Sequence, residues 1–211
     1  ETVSQQIYRR QPHQQRTIIQ GQRSKGINDF FQTGDIINTV VKDVFTDVDL
    51  YEDHIRLLQF PFISPISEEG IGFYRYYIED TLAVGGDQCI HLHFLPNNQH
   101  DRGFRGDLYI LNDTTWHVRR CELTIPKMSN VNFVENMQVI QDYQRMPDGQ
   151  WVLTLDDMAV ELRLYDFIPT TGVVTRTTRM SDYSFDPIDD KLFKGSMKEV
   201  TDADARMRDT T

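Results

Sequence analysis

The strongest constraint in this chain is a change of period. From Phe73 onward, apolar side chains recur at every second position for about ninety residues, broken by turn signals at short intervals. Side chains on a strand alternate between two faces, so this pattern specifies half-buried antiparallel strands rather than helices. In "FYRYYIEDTL" the even positions are Tyr74, Tyr76, Ile78 and Leu82, and the odd ones include Arg75 and Glu79. Gly85-Gly86 then marks a hairpin. The next strand sets Ile90, Leu92 and Phe94 against Cys89, His91 and His93. In "FRGDLYIL", Phe104, Leu108 and Ile110 oppose Arg105 and Asp107, and Asn112-Asp113 reads as a turn.

In "WHVRRCELTI" the apolar residues shift from even (Trp116, Val118) to odd (Cys121, Leu123, Ile125), as expected of a β-bulge near Arg119-Arg120. Met137, Val139 and Tyr143 continue the pattern, "PDG" at 147–149 turns the chain, and Trp151, Leu153 and Leu155 alternate. After Asp156-Asp157 comes a further strand with Met158, Val160, Leu162 and Leu164 on one face. "VVTRTTRM" is polar on both faces, which suits an edge strand.

Upstream the period is helical. Ile36, Val40 and Val44 form one i, i+4 row, and Ile37, Val41 and Phe45 form the next, with Thr33 or Asp35 placed to cap. The expected fold is therefore α+β and mainly β: an antiparallel up-and-down curved sheet, an open half-barrel of about eight strands, packed on one N-terminal helix. Residues 1–26 contain seven glutamines and few large apolar groups, so a flexible linker is expected there. The half-barrel domain is expected over 27–194, and a polar tail over 195–211.

The net charge of −10 argues against nucleic-acid binding. It is uneven, because residues 1–26 carry five cations against Glu1 alone, a net +4, which leaves −14 for the rest. That basic stretch is read as solvated. No apolar run approaches the ~20 residues of a membrane-spanning helix. The chain begins at Glu1 rather than Met, as expected of an excised or processed chain.

Cys89, His91 and His93 share one face of a strand and invite a metal reading, with Cys121, His117 and His100 as further ligands. Sequential strand order would put Cys121 and His117 two strands away, ~9.6 Å. That is too far for one zinc, and too far for a Cys89–Cys121 disulfide. The three are therefore read as part of an outer, semi-polar face, with no metal site and no cofactor. Asp80, Asp156 and Asp157 are read as turn residues at strand ends. No nucleophile elbow, phosphate loop or H-E-x-x-H motif is present, so no catalytic residue is named and no enzyme is expected.

The segments "FISPISEEGIGFYRYYIEDTL", "GFRGDLYIL", "IPKMSNVNFVENMQVIQDYQ", "GQWVLTLDDM" and "RTTRMSDYSFDPI" together resemble a family of large Bacteroidetes-type outer-membrane proteins of unknown function. In that family a carboxypeptidase-regulatory-like domain comes first, then a region like this one, then a β-barrel. The region itself looks like a lipoprotein-carrier half-barrel of the LolA/LolB type. The resemblance implies a Gram-negative cell envelope, on the periplasmic side or at the surface of the outer membrane, with the barrel as neighbour. It brings no catalytic residues.

Two functions follow as expectations. One is a non-enzymatic envelope module that binds a lipid or other apolar ligand on the face formed by Tyr74, Tyr76, Ile78, Leu92, Phe94, Leu108, Ile110, Val160, Leu162 and Leu164. The other is an interaction or spacer domain with a filled core, using the open edge strand. The second requires residues 46–72 and the helix to fill the concavity.

Overall fold

The computed structural model describes residues 1–9, 11–12, 14–23, 45–57, 60–98, 100–126, 134–165, 168–194 and 199–201. The helix expected over 35–45 lies outside the described residues except for Phe45. The chain divides into two units, residues 1–37 with 183–211, and residues 38–182.

The first unit is a three-stranded sheet of order β1 (Thr2–Arg9), β2 (Gln14–Gln22), β12 (Glu199–Thr201). β1 and β2 form an antiparallel hairpin, and β12 pairs parallel to β2 through Val200 and Ile18. Residues expected to be a flexible linker and a polar tail thus supply its strands. Two things offset the low apolar content. Ile7 and Ile19 are buried. The arginines read as solvated hold the 3-10 turn Asp190–Phe193. Arg9 pairs with Asp190 at 2.7 Å, donates to the Ile188 carbonyl at 2.8 Å, and lies over the Phe193 ring. Arg16 donates to the carbonyls of Leu192 and Lys194 at 2.8 and 2.7 Å.

The second unit holds a two-stranded ribbon, β3 (His54–Leu57) and β4 (Phe60–Ile63), a short helix α1 (Glu68–Phe73), and a seven-stranded antiparallel sheet. The sheet strands are β5 (Tyr74–Val84), β6 (Asp87–Pro96), β7 (Arg105–Leu111), β8 (Val118–Pro126), β9 (Val134–Arg145), β10 (Trp151–Tyr165) and β11 (Ile168–Arg179). They lie in sequence order, β5 at one edge and β11 at the other, and do not close into a barrel. The expected eight strands become seven because residues 151–165 run as one strand. Asp156 and Asp157 lie inside it and pair with β9 and β11; they are not turn residues.

The expected turns are present. Gly85 and Gly86 take φ of +59° and +93°, the conformation a two-residue hairpin needs. The bulge is also present: Tyr109 pairs with Arg120 and Ile110 with Val118, leaving Arg119 as the extra residue.

Register lines up the core. One row crosses all seven strands: Tyr76, Phe94, Gly106, Leu123, Val139, Met158 and Arg176. Gly106 is required in it, since φ is +155° and a Cβ would sit 1.8 Å from the Glu122 carbonyl oxygen. Onto this face pack Val48, Leu50, Ile55, Leu57 and Phe62 from the preceding segment. Burying side chains of this size is worth roughly 1.5–3 kcal/mol each, so this layer dominates the stability of the unit. Hydrogen bonds fix its position: Tyr74 Oη donates to the Ile63 carbonyl at 2.7 Å, and Tyr76 Oη to Pro65 at 2.7 Å. Ser67 caps α1 by accepting from the Gly70 amide.

Candidate functional site

The face named from the sequence as a ligand surface is largely interior. Tyr74, Phe94, Leu108, Val160 and Leu162 are buried, and Tyr76, Leu92 and Ile110 are half-buried against the same cluster. Phe62 stands over the sheet, its ring 5.0 Å from that of Phe104. Ile78 is the exception, 75% exposed although paired with Leu92. The side chain of Leu164 lies outside the described residues. Burial of the two tyrosines raises their phenol pKa values, that of Tyr76 to about 12, so both stay neutral donors.

A second row crosses the same face: Ile78, Leu92, Leu108, Cys121, Gln141, Asp156 and Thr178. It turns polar toward β11, and the buried Gln141 is its hub. Gln141 Nε2 donates to the Val48 carbonyl at 2.8 Å and to Asp156 Oδ1 at 2.9 Å, while Tyr143 Oη donates to Gln141 Oε1 at 2.9 Å. This network anchors the covering segment. Periodicity could not flag it, because its residues occupy positions an apolar pattern leaves blank.

The opposite face carries the histidines. The row Asp80, His91, Tyr109, Arg120, Asp142, Leu155, Arg179 again spans the sheet. His91 bridges two carboxylates, Nδ1 to Asp80 Oδ1 at 3.2 Å and Nε2 to Asp107 Oδ1 at 2.8 Å, and stacks on Tyr109. Asp107 Oδ1 also meets His93 Nδ1 at 3.0 Å. Burial lowers the His91 pKa, but the hydrogen bonds to Asp107 and Asp80 and their charges outweigh it, and the net shift is upward. The imidazolium is the form that can donate to both acids. Arg120 and Asp142 form a two-point pair at 2.6 and 3.0 Å.

Cys89 leaves this polar row. It is buried in a small apolar cluster with Val84 and Leu111, whereas Cys121 lies in the main core. Both are free thiols. Burial raises both thiol pKa values and so disfavours the thiolate. Among the described residues no cluster of three His, Cys, Asp or Glu side chains is arranged to hold a metal ion. No helix among them is long and apolar enough to cross a membrane.

At the sheet edge, β11 behaves as its polar sequence suggests. Val173, Thr175, Thr177 and Arg179 are exposed, while Val174 and Arg176 turn toward the core. Its pairing with β10 runs from Tyr165–Ile168 to Leu155–Arg179, and no strand among the described residues pairs with its other side.

These features define a class: an open antiparallel sheet with one face covered by its own chain and the other charged. The chain belongs to the family of unknown function DUF5686, which it matches over residues 1–182. No curated protein matches it. No solved structure matches it.

Proposed function

We propose that this chain is a non-enzymatic module of a cell-envelope protein that engages another protein, or its own neighbouring outer-membrane β-barrel, through the β11 edge. One observation carries this reading. The apolar face that would hold a lipid is occupied by Leu50, Leu57 and Phe62, each fully buried, while the edge strand keeps one side unpaired among the described residues. An exposed strand edge is a template for strand addition, in which backbone hydrogen bonds supply affinity. The envelope placement, on the periplasmic side or at the outer-membrane surface, is supported by the family resemblance described above. The test is site-specific photo-crosslinking from positions 173 to 179 of the full-length protein in cells. Strand addition gives adducts at alternate positions along one partner segment. Adducts at none of them would end the proposal.

A second reading, a LolA-like half-barrel that binds an acyl chain, is supported by Ile78, which extends the apolar row into solvent. Native mass spectrometry of gently purified protein separates the two. A co-purifying lipid near unit occupancy favours the carrier, and a clean apo mass favours the filled module.

A further inference from the structure

The turns at one end of the seven-stranded sheet enclose a polar cleft of about 510 Å³, and Arg119 sits in its wall. The bulge puts Arg119 there. As the extra residue of β8 it has no cross-strand partner, and its side chain reaches Asp87 at the start of β6, where Nε donates to Oδ2 at 3.0 Å. The side chain is 6% exposed. Its Nη1 is buried and has no hydrogen-bond partner. A buried guanidinium donor left unpaired is costly, and its natural complement is an anionic oxygen.

The surroundings fit that need. Gly85 makes room for the guanidinium: a Cβ there would lie 2.0 Å from Nη2, and the φ of +59° already favours glycine. Arg145 brings a second guanidinium to the cleft, and Trp151 a ring. The two acids in the lining are already engaged. Asp87 holds Arg119, and Asp113 Oδ1 accepts from the Thr115 amide and hydroxyl at 2.8 and 2.6 Å. The volume lies within the range of small-molecule sites, ~300–1,000 Å³.

We infer that this cleft is a binding site for an oxyanion-bearing small ligand, a carboxylate or a phosphate, taken by the Arg119 guanidinium with Arg145 as the outer cation. The site is separate from the β11 edge, so it stands or falls independently of the strand-addition reading.

The probes are inorganic phosphate and succinate, titrated at constant ionic strength against a chloride control. The readouts are the Arg119 Nε–H and Trp151 indole N–H signals by NMR. Saturable shifts of both signals with at least one probe are expected. Phosphate alone, succinate alone or both then identifies the preferred oxyanion. Arg119→Lys should weaken binding about tenfold or more, since it removes the planar donor pair. Arg145→Gln, at an exposed position, should fold normally and weaken binding several-fold, which keeps the test decisive if Arg119→Lys does not fold. Shifts that never saturate, that chloride reproduces, or that Arg145→Gln leaves unchanged would overturn the inference.

Discussion

The Asp156 carboxylate and the Arg176 guanidinium meet at 2.6 Å on the covered face of the sheet, and through them the edge strand is tied to the segment that covers it. Arg176 also donates to the Phe45 and Thr46 carbonyls at 3.1 and 3.4 Å, and Asp156 accepts from Gln141. Asp156 is buried and Arg176 partly so. Removing one member of such a pair strands the other, so Asp156→Ala should lower unfolding free energy by about 3 kcal/mol in urea melts. Replacing both with apolar residues should cost less than the sum of the two single changes.

The covered face predicts a contrast between two members of one register row, Leu108 and Ile78. Leu108→Ala should cost about 2–5 kcal/mol, as should Leu162→Ala, because each empties a packed position. Ile78→Ala, at the exposed end of the row, should cost less than about 0.5 kcal/mol. Chemical denaturation of the three variants checks this, and equal losses would contradict the placement of Ile78 in solvent.

His91 makes stability depend on pH in a defined direction. Its folded pKa is raised above its value in the unfolded chain, ordinarily ~6.5. Its contribution is fully present below that unfolded value and is lost as pH rises through the raised folded value. Urea midpoints measured from about pH 5.5 to about pH 8.5 should therefore show a fall toward high pH that His91→Asn flattens. The shift itself can be read from the His91 ring resonances.

Both cysteines are buried, so neither should react with an aromatic disulfide reagent in the native protein, and both should react at once in denaturant. Fast native labelling of Cys89 would show that its small cluster opens.

Arg9→Ala should leave the seven-stranded sheet intact but loosen the 3-10 turn, because it removes the Asp190 ion pair and the contact with Phe193. Hydrogen exchange at the Leu192 and Lys194 amides, which bond within the turn, should accelerate.

The meander was legible because its apolar residues alternate and its turns carry Gly85-Gly86, Asn112-Asp113 and "PDG" at 147–149. The bulge was legible from the phase shift at Arg119-Arg120. What alternation cannot show is which polar residues face inward. Asp156 and Gln141 stand at core positions, and only register reveals that they complete each other. The short strands β1, β2 and β12 escaped for a related reason. Their burial rests on two isoleucines, and much of their support comes from the bonds of Arg9 and Arg16 to residues 188–194, each 176 or more residues away. The apolar face was read correctly as a face. Whether residues 46–72 would fill it stayed open, because alternation within strands does not report what packs on them.

The parallel pairing of β12 with β2 has a consequence for the order of assembly. Val200 pairs with Ile18 although residues 38–182 lie between them in the chain. Each strand of the seven-stranded sheet meets the strand next to it in the chain, so that sheet can zip up hairpin by hairpin, with little loop entropy to overcome at each step. The three-stranded sheet cannot be completed until Glu199–Thr201 reaches β2. Until it does, the β1–β2 hairpin keeps one flank of β2 open, and β12 closes it.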